Sequence, residues 1–266
     1  MAFSQIKMSK VFLFLFLIIT ATTSGYAQDD KPSIPQGKLV VSALRNKSPY
    51  ESTYLVKDSK VTLLKEGCLF PAFSPDGKAI SCSEGKNILI LDEEGSLKET
   101  IFTKSQTGLT YWSPNGKKLI YNASLPPDYD REFIYEYDFD AQSHVLLIEF
   151  GEDMAITTFP YSPDGKQLLI KTFGNSGSPE DGLYIYNLSD KNLKKVQENV
   201  LYGTWFPDGK NILYFINRED KDSLLGILGA YNGTLEKMNI ETGEVTKLQD
   251  LPTPALPDFL KLSKDG

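Results

Sequence analysis

One six-residue phrase returns along the chain and restricts what it can fold into. It reads Phe73-Ser74-Pro75-Asp76-Gly77-Lys78, then Trp112-Ser113-Pro114-Asn115-Gly116-Lys117, Tyr161-Ser162-Pro163-Asp164-Gly165-Lys166 and Trp205-Phe206-Pro207-Asp208-Gly209-Lys210. A last copy stands at Leu262-Ser263-Lys264-Asp265-Gly266. Proline presets the backbone for a type I turn, Asp or Asn bonds to nearby amides, and glycine takes the positive φ that closes a hairpin with a bulge. Each copy is therefore a hairpin tip. An aromatic or aliphatic residue precedes it, and apolar residues follow at Ile80, Leu119-Ile120, Leu168-Leu169 and Ile212-Leu213, so two strands flank every turn.

The turn glycines are 39, 49, 44 and 57 residues apart. That period is too long for one hairpin and suits a four-stranded blade of a β-propeller. Within each repeat, strand a enters the turn and strand b leaves it. Strand c alternates and ends in Asp or Asn, as in Ile88–Asp92, Phe133–Asp138, Leu183–Asn187 and Leu235–Asn239, and strand d closes the unit. Four blades follow, at about 68–105, 107–153, 155–198 and 200–250.

The two ends of this array complement each other. Residues 37–67 carry segments resembling strands b, c and d without a strand a, whereas Phe259 to Gly266 is a strand a and its turn. The expected fold is all-β, a propeller of five four-stranded blades over residues 37–266, with the C-terminal strand completing the first blade. Closure would remove two exposed sheet edges. The rival is a fragment of a longer propeller protein, such as a peptidase.

Residues 1–27 read as a secretory signal peptide. Lys7 and Lys10 form a basic leader, Val11 to Ile19 an apolar run, and Gly25-Tyr26-Ala27 a small-x-small site. The run is shorter than the ~20 residues a bilayer crossing needs, so no membrane insertion is expected after cleavage. Residues 28–36, with Pro32 and Pro35, form a flexible leader. The expected location is periplasmic or secreted. Cleavage removes two lysines and no acid, taking the formal charge from -7 to -9. A chain that acidic is a poor ligand for nucleic acid, whose binding rests on basic patches.

Cys68 and Cys82 flank the first full turn. With Ser74 opposite Lys78, Cys82 faces Phe70 and lies diagonal to Cys68, so a disulfide needs a departure from ideal register. The alternative is a pair of small buried apolar residues.

The repeated aromatic-Ser-Pro-Asp/Asn-Gly-Lys phrase resembles the TolB-like propeller repeat, and the resemblance covers nearly all of residues 37–266. It implies a periplasmic, non-enzymatic propeller that binds other envelope or secreted proteins. The N-terminal α/β domain and sixth blade of TolB have no visible counterpart here.

The remaining chemistry is sparse. Asp76, Asp164, Asp208 and Asp265 recur because the turn needs them. The single histidine, His144, starts a strand d and reads as a surface residue; Gly174–Ser178 lacks the spacing of a nucleophile elbow. The acidic pairs Asp128/Asp130 and Asp138/Asp140 lack the glycine and distal glutamate of a calcium loop. No catalytic residue, metal or cofactor is expected, and the tyrosines of strand c read as blade packing.

One asymmetry stands out. Three blades carry insertions between strands b and c, at Ser124–Arg131, Gly174–Gly182 and Arg218–Ala230. Such loops emerge on one face of a propeller, where repeat scaffolds make binding surfaces. The expected partner-binding residues are Tyr129, Arg131, Glu180, Arg218, Leu224 and Leu225. The competing class is a carbohydrate- or metal-binding propeller, or a propeller enzyme, using the central channel.

Overall fold

The phrase does in space what its chemistry dictates. Gly77 N–H donates to Ser74 O (2.9 Å) and Ser74 N–H to Ala79 O (2.8 Å), closing the turn. Ser74 Oγ donates to Asp76 Oδ1 (2.7 Å) while accepting from Ala79 N–H (2.9 Å), and Asp76 Oδ1 accepts from Lys78 N–H (3.1 Å). Ser113 with Asn115 and Ser162 with Asp164 repeat this network. In the fourth copy Phe206 replaces the serine. Asn211 takes over, donating to Asp208 from its backbone (3.0 Å) and its amide (2.6 Å).

The computed structural model describes residues 38–44, 51–58, 60–124, 131–152, 155–173, 181–217 and 231–255. Among them every helix or strand assigned is a strand, and nineteen strands form five antiparallel sheets. The first sheet has three: β1 (Lys38–Leu44), β2 (Glu51–Lys57) and β3 (Lys60–Glu66). The second contains β4 (Leu69–Phe73), β5 (Ile80–Glu84), β6 (Asn87–Leu91) and β7 (Leu97–Phe102). The third contains β8 (Gln106–Trp112), β9 (Lys118–Ser124), β10 (Arg131–Asp138) and β11 (Ser143–Glu152). The fourth contains β12 (Ala155–Thr158), β13 (Gln167–Phe173), β14 (Gly182–Asn187) and β15 (Leu193–Gln197). The fifth contains β16 (Val200–Trp205), β17 (Asn211–Asn217), β18 (Tyr231–Asn239) and β19 (Val245–Ala255).

Each sheet is thus a meander in chain order, the hydrogen-bonding pattern of a propeller blade. Among the described residues the first sheet has no strand before β1, as its sequence implies; Phe259 to Gly266 lie outside them.

Each sheet is too thin to bury its own faces, so the cores lie between consecutive sheets. Leu55 and Leu64 of the first meet Ile80, Leu89 and Leu91 of the second. Ile88, Ile90 and Ile101 meet Leu119, Tyr121 and Tyr137 of the third, Ile120 and Ile134 meet Leu168 and Ile170 of the fourth, and Leu169 and Ile185 meet Ile212 and Tyr214 of the fifth.

The aromatic residue of the phrase fastens these seams. Trp112 Nε1 donates to Ser81 Oγ (3.0 Å) in the preceding sheet, and Trp205 Nε1 reaches Pro160 O (3.4 Å). Successive turns also stack. A β-carbon built on Gly116, Gly165 or Gly209 would lie 3.8, 3.4 or 3.7 Å from Cδ of Pro75, Pro114 or Pro163, the proline of the turn before it.

The expected register needs a correction at the turn and holds beside the cysteines. Ser74 lies opposite Ala79 rather than Lys78, because the turn takes one more residue, and Phe73 pairs with Ile80. A bulge then restores the expected register, with Leu69 facing Ser83, and Phe70 takes a φ of 53° within it. This departure from regular pairing accompanies a Cys68–Cys82 disulfide with its Cα atoms 5.5 Å apart, fully buried in the first inter-sheet core.

Candidate functional site

The two ends of the sheets differ in what their polar groups are free to do. At one end lie the repeated turns and the connections from third to fourth strands. Asp or Asn at the end of each third strand caps that connection: Asp92 accepts from Ser96 N–H (2.7 Å), Asp138 from Asp140 N–H (2.9 Å), Asn187 from Ser189 N–H (2.9 Å) and Asn239 from Glu241 N–H (3.0 Å). Asp138 and Asp140 thus belong to a turn, with Lys117 Nζ 2.8 Å from Asp140. The Ser74 and Ser162 hydroxyls hold the Asp76 and Asp164 carboxyls below the ordinary carboxylate range. This end also carries a depression of about 280 Å³ lined by Asn211, Lys237, Asn239, Glu244 and Thr246.

The opposite end carries the second-to-third-strand connections 45–50, 125–130, 174–181 and 218–230, together with the links between sheets. Arg131, the first residue of β10, stands here, exposed, with Nη1 2.9 Å from Glu149 Oε1. Tyr129, Glu180, Arg218, Leu224 and Leu225 lie outside the described residues. The base of the 174–181 connection is held by a buried pair, Lys171 Nζ to Asp181 Oδ1 at 2.6 Å. Lys171 Nζ also bonds Thr172 O and lies 5.8 Å from the Phe173 ring centre.

Sequence reasoning missed three exposed phenylalanines at this end: Phe70 (44%), Phe102 (75%) and Phe173 (47%). Phe102 and Phe173 end their strands at positions where a pattern of apolar residues alone reads as core; only the relation of strand end to neighbouring sheet exposes them.

His144 is exposed, as its sequence reading has it, and borders a seam. Its Nδ1 is 2.9 Å from Tyr121 OH, its ring packs on Tyr121 and Tyr137, and the Phe102 carbonyl of the preceding sheet accepts another hydrogen bond from it. Burial outweighs that bond and pushes the imidazole pKa down. Among the described residues, no group of three or more His, Cys, Asp or Glu could hold a metal ion. The strand c tyrosines pack as expected: Tyr137 OH reaches Glu99 (3.0 Å) across a seam, and Tyr186 OH reaches Leu147 O (3.1 Å).

No protein-family model and no curated protein sequence matches the chain. Solved structures match in fold. An oligogalacturonate lyase in complex with manganese superposes with a TM-score of 0.62 at 17% identity, covering 81% of this chain and 62% of that one. TolB from Acinetobacter baumannii gives 0.58 at 22% identity, over 82% of this chain and 53% of that one. A putative TolB from Agrobacterium tumefaciens gives 0.56 at 17%, over 85% and 86%. The chain therefore spans roughly half to two thirds of the lyase and of the Acinetobacter TolB. At these identities the likeness speaks to fold alone, and with the five consecutive meander sheets it makes the architecture that of a TolB-like β-propeller.

Proposed function

We propose that the chain is an exported, non-catalytic propeller that binds other envelope or secreted proteins through the end bearing its long connections. The observation that carries this reading is the contrast between the ends. At one, the recurrent carboxylates and amides are engaged in holding turns. At the other, connections of very different length and exposed phenylalanines stand on a repeated scaffold. The TolB-like fold and the signal-like leader agree with an extracytoplasmic setting.

The ring we propose is five-bladed, with residues 259–262 beside β1 as the missing first strand. Two observations support it. Among the described residues the first sheet has no such strand. In β17, Ile212 and Tyr214 face the fourth sheet, so Leu213 and Phe215 face away from it, yet they are 5% and 0% exposed. A next first strand would cover them, as β16 covers Leu169.

The test is affinity isolation of the full chain from an envelope fraction, alongside a variant lacking residues 219–229. Loss of specific partners from the variant is expected, and retention of every partner would overturn the assigned face. Turnover of oligogalacturonate by the purified chain with added manganese would overturn the non-catalytic part.

A further inference from the structure

The second sheet differs from the others at its connection-bearing end. Its β5–β6 connection is the two-residue turn Gly85-Lys86, where the other sheets have six residues or more. The backbone of this short connection is locked. Thr103 N–H and Oγ1 both donate to Lys86 O (2.9 and 2.7 Å), Thr103 Oγ1 also contacts Ser105 O (2.8 Å), and Thr107 N–H donates to Gly85 O (2.9 Å). The link 103–105 and the 85–86 turn thus form one rigid ledge.

On this ledge stand side chains with no internal use. Phe102 is the most exposed large apolar residue among those described. Lys86 and Lys104 beside it are exposed and join no ion pair among the described residues, whereas the nearby Glu84 is engaged by Lys65 at 3.5 Å. At the sheet's other edge Phe70 is fixed in its bulge by its N–H donating to Ser42 Oγ (3.1 Å) and by the Cys68–Cys82 bridge. Its positive φ is strained for a bulky residue and persists only where the surroundings enforce it. β4 and β7 are three strand spacings apart, about 15 Å between their backbones.

We propose that Phe70, Lys86, Phe102 and Lys104 form a docking site for a protein segment in which a bulky apolar side chain stands beside carboxylates. The inference rests on the scaffold reading above and specifies its partner. Charge complementarity selects the chemistry: two lysines that join no ion pair among the described residues stand beside the most exposed aromatic ring among them, in an otherwise acidic chain. The ledge is pre-ordered by its hydrogen bonds, which lowers the entropy lost on binding.

The experiment selects short peptides from a displayed random library on the immobilised full chain, then measures the synthetic winners by calorimetry. Winners are expected to carry a bulky apolar residue next to Asp or Glu. Their affinity should fall about tenfold or more with Phe102→Ser or with the double variant K86E/K104E, and fall with added salt. Leu97→Ser, which removes an exposed apolar side chain at the far end of β7, should leave it unchanged. The altered side chains are exposed, so each variant should melt with the parent, and a melt confirms that loss of binding is not loss of fold. Winners insensitive to the Phe102 and lysine variants would overturn this site while leaving the scaffold reading intact. A library yielding no binder would count against both.

Discussion

Tyr161 donates from its hydroxyl to Glu136 Oε2 at 2.9 Å, across the seam between the third and fourth sheets. Lys118 Nζ holds the other carboxylate oxygen at 2.6 Å. Both Tyr161 and Glu136 are buried, and burial, with the carboxylate next, keeps the phenol far above its ordinary pKa. Replacing Tyr161 by Phe removes the hydrogen bond and keeps the ring. Hydrogen bonds to charged groups are worth about 1.5–3 kcal/mol, and urea unfolding of Tyr161→Phe should show a loss of that order.

The turn stack separates local strain from contact between sheets. Gly77 and Gly165 both have positive φ, 69° and 73°, but a β-carbon meets nothing within 4 Å at Gly77 and Pro114 Cδ at 3.4 Å at Gly165. Gly77→Ala should cost about 1–2 kcal/mol from the left-handed backbone alone. At Gly165 the added methyl would meet Pro114 at ordinary van der Waals distance, so Gly165→Ala should cost about the same, and a clearly larger loss in paired denaturation curves would show that the turns crowd one another.

The Cys68–Cys82 bridge closes a loop of separation 14. The chain-entropy estimate for a loop of that size is about 3 kcal/mol. For a domain of this size that is a fall in Tm of about 6–12 °C. Calorimetry of the double alanine variant in non-reducing buffer tests this against the parent.

His144 makes a pH prediction of definite sign. Its folded-state pKa lies below the unfolded value of about 6.5. The unfolded chain therefore takes up a proton first as pH falls, so this contribution is fully present above that value and declines below it. Since the chain has one histidine, the Tm of the parent should drop more steeply from neutral pH to about pH 5 than that of His144→Gln. Parallel slopes would refute the assignment.

Lys171 and Asp181 should behave as a buried pair. Removing the carboxylate alone, as Asp181→Ala, should cost about 3–5 kcal/mol, while Lys171→Met with Asp181→Leu should recover much of it. Urea midpoints of the single and double variants decide the matter.

Much of this architecture was readable from the chain itself. The phrase around Pro75, Pro114, Pro163 and Pro207 marks hairpins because its residues satisfy the turn locally, with bonds between positions two to five apart. Period-two patterns such as Leu183–Asn187 mark third strands, and the three-strand count of the opening sheet among the described residues follows from counting segments between turns.

The site was less legible. Ile101 is buried and Phe102 exposed, and nothing in the pair of letters distinguishes them. His144 reads as surface and is exposed, but its hydrogen-bond partners appear only when Tyr121 and Phe102 arrive from two different strands. The bulge at Phe70 depends on how β4 meets both β5 and Ser42 of the preceding sheet.

By itself the sequence determined the repeating unit, its turns and the number of strands in each described sheet, because those rest on interactions within a few residues. Tertiary structure decided which phenylalanines and lysines remain available at the connection-bearing end, which tyrosines bridge sheets, and that Cys68 meets Cys82. Those outcomes depend on contacts between segments far apart in the chain, where burial and pairing are set by the neighbouring sheet rather than by the neighbouring residue.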